Sequence, residues 1–269
     1  MKRKMLGMVA AGLLVVNLVG CGGNASENAA DDQAPEAAQP EATPTAGAEA
    51  GASSEAGSLD ENRAEMETML NAMALNNVTV DTKMVIEAGA DGVNGSQTSD
   101  ILVKVATDSD DPRAYYRYDM PGTELDGVEM YVTSAQLIAV ADGTAVDTGS
   151  DQAEIDALLA SSSDLTSALV PIQNATSIEK TEADGTTTLH VVSDPAALST
   201  QLPTDGFDGY TSYEADYTFD ADGKLLAMTM KATGTADQSG TEVQLTMTTT
   251  TTYSDYGTTV VEDAPEPVQ

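Results

Sequence analysis

Thiols are nearly absent from this chain: its 269 residues hold one cysteine, Cys21, and tryptophan is missing altogether. A single cysteine excludes an intrachain disulfide, and once its sulfur is modified it excludes thiolate catalysis and cysteine-held metal as well. Stability must therefore come from a hydrophobic core. Positive charge is scarce too, with 11 Lys and Arg against 44 Asp and Glu and a formal net charge of −33. That balance argues against nucleic acid as a partner, and it opposes close contact between the folded part and anionic lipid headgroups. One histidine occurs, His190, in Thr187-Thr188-Leu189-His190-Val191-Val192, out of phase with Leu189 and Val191. It is expected on the solvent face of a strand, and without a paired Ser or Cys it forms no triad. No Gly-x-Ser-x-Gly, His-Glu-x-x-His or Walker pattern is present, so the chain is read as a non-enzyme without cofactor or metal.

What the sequence does have begins with Met1-Lys2-Arg3-Lys4 and an apolar stretch from Met5 to Val19, leading into Leu18-Val19-Gly20-Cys21. A basic start, a short apolar region and a small residue before a cleavage point describe an export signal over residues 1–20, too short for a stable membrane-spanning helix. Gly20-Cys21 resembles the bacterial lipobox, which implies a diacylglycerol on the Cys21 sulfur and cleavage just before it. The mature protein is then expected to be extracytoplasmic and anchored to the bacterial cell membrane through Cys21. Loss of Lys2, Arg3 and Lys4 with the signal makes it more acidic still. Residues 22–57 contain no cation, no aromatic and no aliphatic side chain larger than Ala. They cannot build a core, and with the acylated Cys21 they form an acidic, disordered tether over 21–57. A flexible coil of that length spans about 30–36 Å, more with repulsion among its acids.

Order is expected from Ser58. Ser58 and Glu61 have capping-box spacing, and Met66, Met69, Leu70 and Met73 fall on one helical stripe, predicting an amphipathic helix over about 59–76. From Val78 the period changes to two: Val78, Val80, Met84 and Ile86 alternate with polar residues, as in a half-buried strand. Further strands are predicted at 99–107, 113–119, 127–133, 136–148, 210–220, 224–234 and 241–253. Asp142-Gly143, Asp184-Gly185 and Asp222-Gly223 are hairpin turn signals and favour antiparallel pairing. Asp151 and Glu154 can cap a helical segment carrying Ile155, Leu158, Leu159, Leu165 and Leu169, with Ser161–Ser163 as a break and Pro171 as its stop. A shorter helix is predicted from Asp194 as N-cap and Pro195 at the first helical position, ending before Pro203.

Acid-rich spots at 108–111, 147–151 and 205–208 have oxygens that suit Ca²⁺, but none completes an EF-hand loop and solvated turns explain them. The tyrosine groups Tyr115/Tyr116/Tyr118 and Tyr210/Tyr213/Tyr217 read as strand residues, and Thr248–Thr252 as the exposed end of a strand. Methionine is the more informative group. Met66, Met69, Met73, Met84, Met130, Met228, Met230 and Met247, with Leu70, all land on predicted inward faces, where flexible thioethers either fill a core or line an adaptable apolar pocket.

The layout carries a resemblance. An N-terminal helix, an antiparallel meander, a helical insertion and three long closing strands are arranged as in the LolA/LolB/LppX-type lipoprotein superfamily. The resemblance covers 58–263 and is carried best by Tyr217-Thr-Phe-Asp-Ala-Asp-Gly-Lys-Leu225 and Tyr253-Ser-Asp-Tyr-Gly-Thr-Thr-Val260. It implies an α+β fold in which a strongly curved antiparallel sheet of about 10–11 strands forms a half-barrel. The N-terminal helix and the mid-chain insertion would cover its concave face, and 264–269 would be a flexible tail. It also implies a groove able to hold a lipid or acyl chain, lined by the nine residues named above, although no basic pattern marks a mouth for a charged headgroup. The alternative is an envelope scaffold or interaction lipoprotein whose core is simply filled.

Overall fold

The computed structural model describes residues 57–268 apart from 74, 91–92, 163–165, 203–206 and 239–240. The expected signal, Cys21 and all of the tether except Gly57 lie outside the described residues, as do Pro203 and Asp205. Among the described residues, eleven strands form one antiparallel sheet in the order β6-β5-β4-β3-β2-β1-β11-β10-β9-β8-β7. Its margins, β6 and β7, are not paired with each other, so the curved sheet stays open. No described helix is long and apolar enough to cross a membrane.

The strands are β1 Asn77–Ala90, β2 Val93–Ala106, β3 Arg113–Asp119, β4 Val128–Thr133, β5 Leu137–Ala141, β6 Thr144–Asp147, β7 Ala175–Ala183, β8 Thr186–Ser193, β9 Gly209–Phe219, β10 Leu225–Gln238 and β11 Thr241–Ser254. Turn chemistry sets their register. Asp142 and Gly143 have φ of 52° and 69°, and Asp184 and Gly185 of 52° and 79°, the paired left-handed conformation of two-residue hairpins. At the third Asp-Gly only Gly223 is left-handed; the Asp220 carboxylate instead accepts from the Asp222 and Lys224 N–H groups, and β10 starts with a bulge after Leu225.

Four helices lie among the described residues: α1 Leu59–Asn71, α2 Gln152–Ser161, α3 Thr166–Gln173 and α4 Pro195–Gln201. The Ser58/Glu61 and Asp151/Glu154 capping boxes are both formed, and Asp194 caps α4 with Pro195 in its first turn. Two sequence expectations fail here. Helix α1 ends at Asn71 instead of 76, and Leu75, beyond its end, is buried in the cluster around Val78. Pro171 lies inside α3 and does not stop it; the helix runs on to Gln173, and Ile172 within it is fully buried.

Burial divides the interior into two clusters. One joins α1, α3 and α4 to β1 and β7–β11 through Met66, Leu70, Met84, Ile172, Leu189, Leu198, Tyr217, Phe219 and Met247. The other joins α2 to β1–β5 through Val78, Val103, Val105, Tyr116, Tyr118, Met130, Leu137 and Ile155. Half-buried Met73 and Tyr253 pack against both. On the opposite face of the early strands, Tyr115, Ile138 and Ala145 are also buried. The C-terminal segment runs past them as an extended strap, held by Lys104 to Glu262, Arg113 to Asp263 and the Val268 N–H donating to the Ala145 carbonyl.

Candidate functional site: the inward face of the sheet

Alternation in the central strands places Val80, Thr82, Met84 and Ile86 of β1 on the helix side, in line with Ser99, Ile101 and Val103 of β2 and with Met247, Thr249 and Thr251 of β11. The same register carries Met228, Met230 and Ala232 of β10 and Tyr213, Ala215 and Tyr217 of β9 onto this face. Among the described residues, the inward positions of β1–β5 and β8–β11 hold no Asp, Glu, Lys, Arg or His. These nine strands present an apolar, uncharged surface rich in thioethers, whereas on marginal β7 the same register turns Lys180 toward the helix side, where it meets Glu65.

The residues singled out in the sequence fall on it unevenly. Met66, Leu70, Met84, Met230 and Met247 are buried in the late-strand cluster, and Met69, Met73 and Met228 are half-buried at its surface. Met130 belongs to the early-strand cluster and does not join them. Half-buried Ile86, Ala88, Leu169, Val170, Tyr210 and Ala236 border the same cluster. Partly covered apolar side chains thus occur both at the end of α1, in Met69 and Met73, and along the strands, in Ile86, Ala88, Met228 and Ala236.

The N-terminal half of α1 is tied down. Asn62, only 4% exposed, donates its Nδ2 hydrogen to the Ile178 carbonyl of marginal strand β7 at 2.8 Å. Arg63 donates to the Ile172 and Ala175 carbonyls, and Lys180 pairs with Glu65 at 2.8 Å. Its carboxylate partners hold the Lys180 ammonium pKa above its usual range, Glu65 first. Met69 and Met73, toward the other end, carry thioethers, which can make only weak hydrogen bonds.

Sequence reasoning missed the hydroxyls on this face. Thr249 and Thr251 were expected at an exposed strand end, yet they are 2% and 4% exposed. Their parity with Val243, Leu245 and Met247 was the signal that could have placed them inside. Two adjacent rungs of the sheet carry them: Ser99–Met84–Thr249 and Tyr118–Ile101–Thr82–Thr251. Thr82 and Thr251 share a hydrogen bond of 3.1 Å, whereas Ser99 Oγ, Thr249 Oγ1 and Tyr118 OH are buried without a hydrogen-bond partner. This hydroxyl seam runs where the two apolar clusters meet. Burial pushes the Tyr118 phenol well above its normal range, and the Tyr116 phenol to about 12 despite the nearby Ser162 hydroxyl. Both stay protonated at physiological pH and are available as hydrogen-bonding groups, not as acids or bases.

The remaining candidates go elsewhere. His190 lies on the outer face, its Nδ1 2.7 Å from Asp216 Oδ1 and half exposed, with Glu179 opposite on β7. Asp108 accepts from Asn77, Asp111 pairs with Arg113, and Asp147 and Asp151 accept from turn and cap N–H groups. Among the described residues, no group of three or more His, Cys, Asp or Glu is placed to hold a metal ion.

No family model matches the chain, and no curated protein does. Among solved structures, its fold is similar to that of the lipoprotein LppX of Mycobacterium tuberculosis, with 17% identity over 76% of this chain and 99% of that one and a TM-score of 0.36. A LolA superfamily protein from Nitrosomonas europaea matches at 10% identity over 76% of this chain and 94% of its own, with a TM-score of 0.24. A proposed outer membrane lipoprotein-sorting domain from Vibrio parahaemolyticus matches at 10% identity over 72% and 89%, with a TM-score of 0.21. These likenesses concern the layout of helices and sheet, and at such scores they say nothing of a ligand.

Proposed function

We propose that this is an extracytoplasmic lipoprotein, anchored to the membrane through acylated Cys21, whose domain binds or shields a hydrophobic ligand between α1 and the inward face of the sheet. It acts by burial, not by catalysis. The observation that carries the reading is the uncharged, methionine-lined face of β1–β5 and β8–β11, on which Met228 and Ile86 are only partly covered, as are Met69 and Met73, which pack on the same cluster. Thioethers adapt to irregular apolar shapes, as a site for flexible acyl chains requires. A ligand would enter by displacing the C-terminal half of α1 while Asn62 and Arg63 hold the other half on β7.

A second reading has its own support. Met66 and Leu70 are completely buried and α1 is latched, which suits an envelope scaffold whose helix is a fixed part of the core. A fluorescent acyl probe titrated against the delipidated mature chain separates the two. Saturable binding near micromolar, weakened by Met69→Ala with Met73→Ala at little change in thermal midpoint, is expected for the binding protein. Absence of binding, together with a loss of about 2–5 kcal/mol per site in the double variant, would leave the scaffold. Labelled palmitate should enter the wild-type chain and not Cys21→Ala, and failure to label wild type would remove the anchor.

A further inference from the structure

Four buried hydroxyls on the inward face have no partner: Ser99 Oγ, Thr249 Oγ1, Tyr118 OH and, two residues before it on β3, Tyr116 OH. Their residues are 1%, 2%, 0% and 1% exposed, so water does not reach them from the surface. Buried polar groups in folded proteins are nearly always paired, and each orphan needs an explanation. Here the orphans are grouped. Ser99 and Thr249 flank Met84 on one rung, and Tyr118 sits on the next, across Ile101 from the Thr82–Thr251 pair. They also lie where the two apolar clusters meet, and Met73, just beyond the end of α1, packs against both clusters.

We infer that this seam receives the polar group of an amphiphilic ligand, and that the group is uncharged, such as the ester of a long-chain lipid. The inference rests on the binding function proposed above and adds the chemical class of ligand. Hydroxyls both donate and accept, so they match an ester or alcohol. A carboxylate or phosphate buried there would need a cation, and the inward positions of β1–β5 and β8–β11 offer none. Lys180, at the β7 margin, is already held by Glu65 and Glu182. The acyl chains would lie along Met84, Met228, Met230 and Met247 on one side of the seam.

The test compares a pyrene-labelled long-chain fatty acid with its methyl ester on the delipidated mature chain at neutral pH, where the free acid is ionised. The ester is expected to bind more tightly by at least about fivefold, the worth of one net hydrogen bond. Ser99→Ala, Thr249→Val and Tyr118→Phe should each reduce that preference. Because the ligand-free hydroxyls have no partner, these variants should keep or raise the thermal midpoint of the unliganded protein. Equal or tighter binding of the acid would overturn this inference while leaving ligand binding intact. So would an ester preference unchanged in all three variants, or a marked loss of stability in all three, which would show the hydroxyls satisfied within the fold. Absence of binding by either probe would remove the inference and the proposed function together.

Discussion

The early and late strands of this one sheet bury apolar surface in different ways. In β9 and β11 burial alternates residue by residue, so one face packs on the helices while Glu214, Thr248 and Thr250 face outward. In β3 and β5 it runs without a break through Ala114-Tyr115-Tyr116 and Leu137-Ile138-Ala139. The early strands are thus covered on both faces, by α2 on one and by the C-terminal strap on the other. An antiparallel sheet with one wet face shows a period of two, and a strand buried on both sides reads as a continuous apolar run. A single sheet here contains both regimes. The late half can expose charge across its outer face, whereas the early half depends on a segment far away in sequence.

The largest expected effect tests that contrast directly. Ile138→Ala, on the outer face of β5, should cost about 2–5 kcal/mol by denaturant unfolding, as for a core residue. Thr248→Ala, on the outer face of β11, should change stability by less than about 0.5 kcal/mol. Similar small costs at both positions would erase the distinction.

Alkaline pH gives a somewhat smaller effect and asks whether the halves unfold together. Burial raises the phenol of Tyr116 to about 12 and also pushes those of Tyr118, Tyr213 and Tyr217 well above their usual value. In the unfolded chain tyrosine titrates near 10, so the unfolded state loses its protons first. Stability is fully present below about pH 10 and is lost as pH rises through the folded values, by roughly 2–3 kcal/mol for Tyr116 alone. Because such tyrosines lie in both halves, circular dichroism and hydrogen exchange should report one transition. Loss of amide protection in β3–β5 ahead of β8–β11 would show two separable units.

The smallest effect concerns the strap. Lys104 holds the Glu262 carboxyl below its usual pKa through a hydrogen bond, but both groups meet solvent. Lys104→Ala should therefore cost no more than about 1 kcal/mol, less at high salt. Hydrogen exchange should show the change on the outer face of β2–β5 and none in β9–β11. A loss beyond that range would mean that the ion pair, not apolar cover, holds the strap.

Much of this architecture was legible in the sequence. The capping boxes at Ser58 and Asp151, the left-handed turns at Asp142-Gly143 and Asp184-Gly185, and the inward methionines of β1, β10 and β11 are local signals that tertiary packing reinforces. The failures have tertiary causes. Residues 72–76 have the composition of a helix, but Leu75 is buried in the second cluster instead of continuing the α1 stripe. Pro171 was read as a stop, although a short helix can hold it near its end. The threonines of β11 were judged by polarity when their parity with Leu245 and Met247 was the better guide. The strap was invisible because Val260-Val-Glu-Asp-Ala-Pro-Glu-Pro-Val268 has the composition of a tail, and only the apolar outer positions of β3 and β5 hint that something must cover them.

The contacts of Asn62 and Val268 also bear on how molecules of this protein meet one another. An open sheet ends in two rows of unpaired backbone groups, a ready template for strands of a neighbouring molecule. Here the Ile178 carbonyl at one margin is taken by Asn62 and the Ala145 carbonyl at the other by Val268. The chain occupies its own margins at those points, so neighbouring copies crowded together meet acidic side chains and covered carbonyls in place of a free ladder on which polymerisation could start.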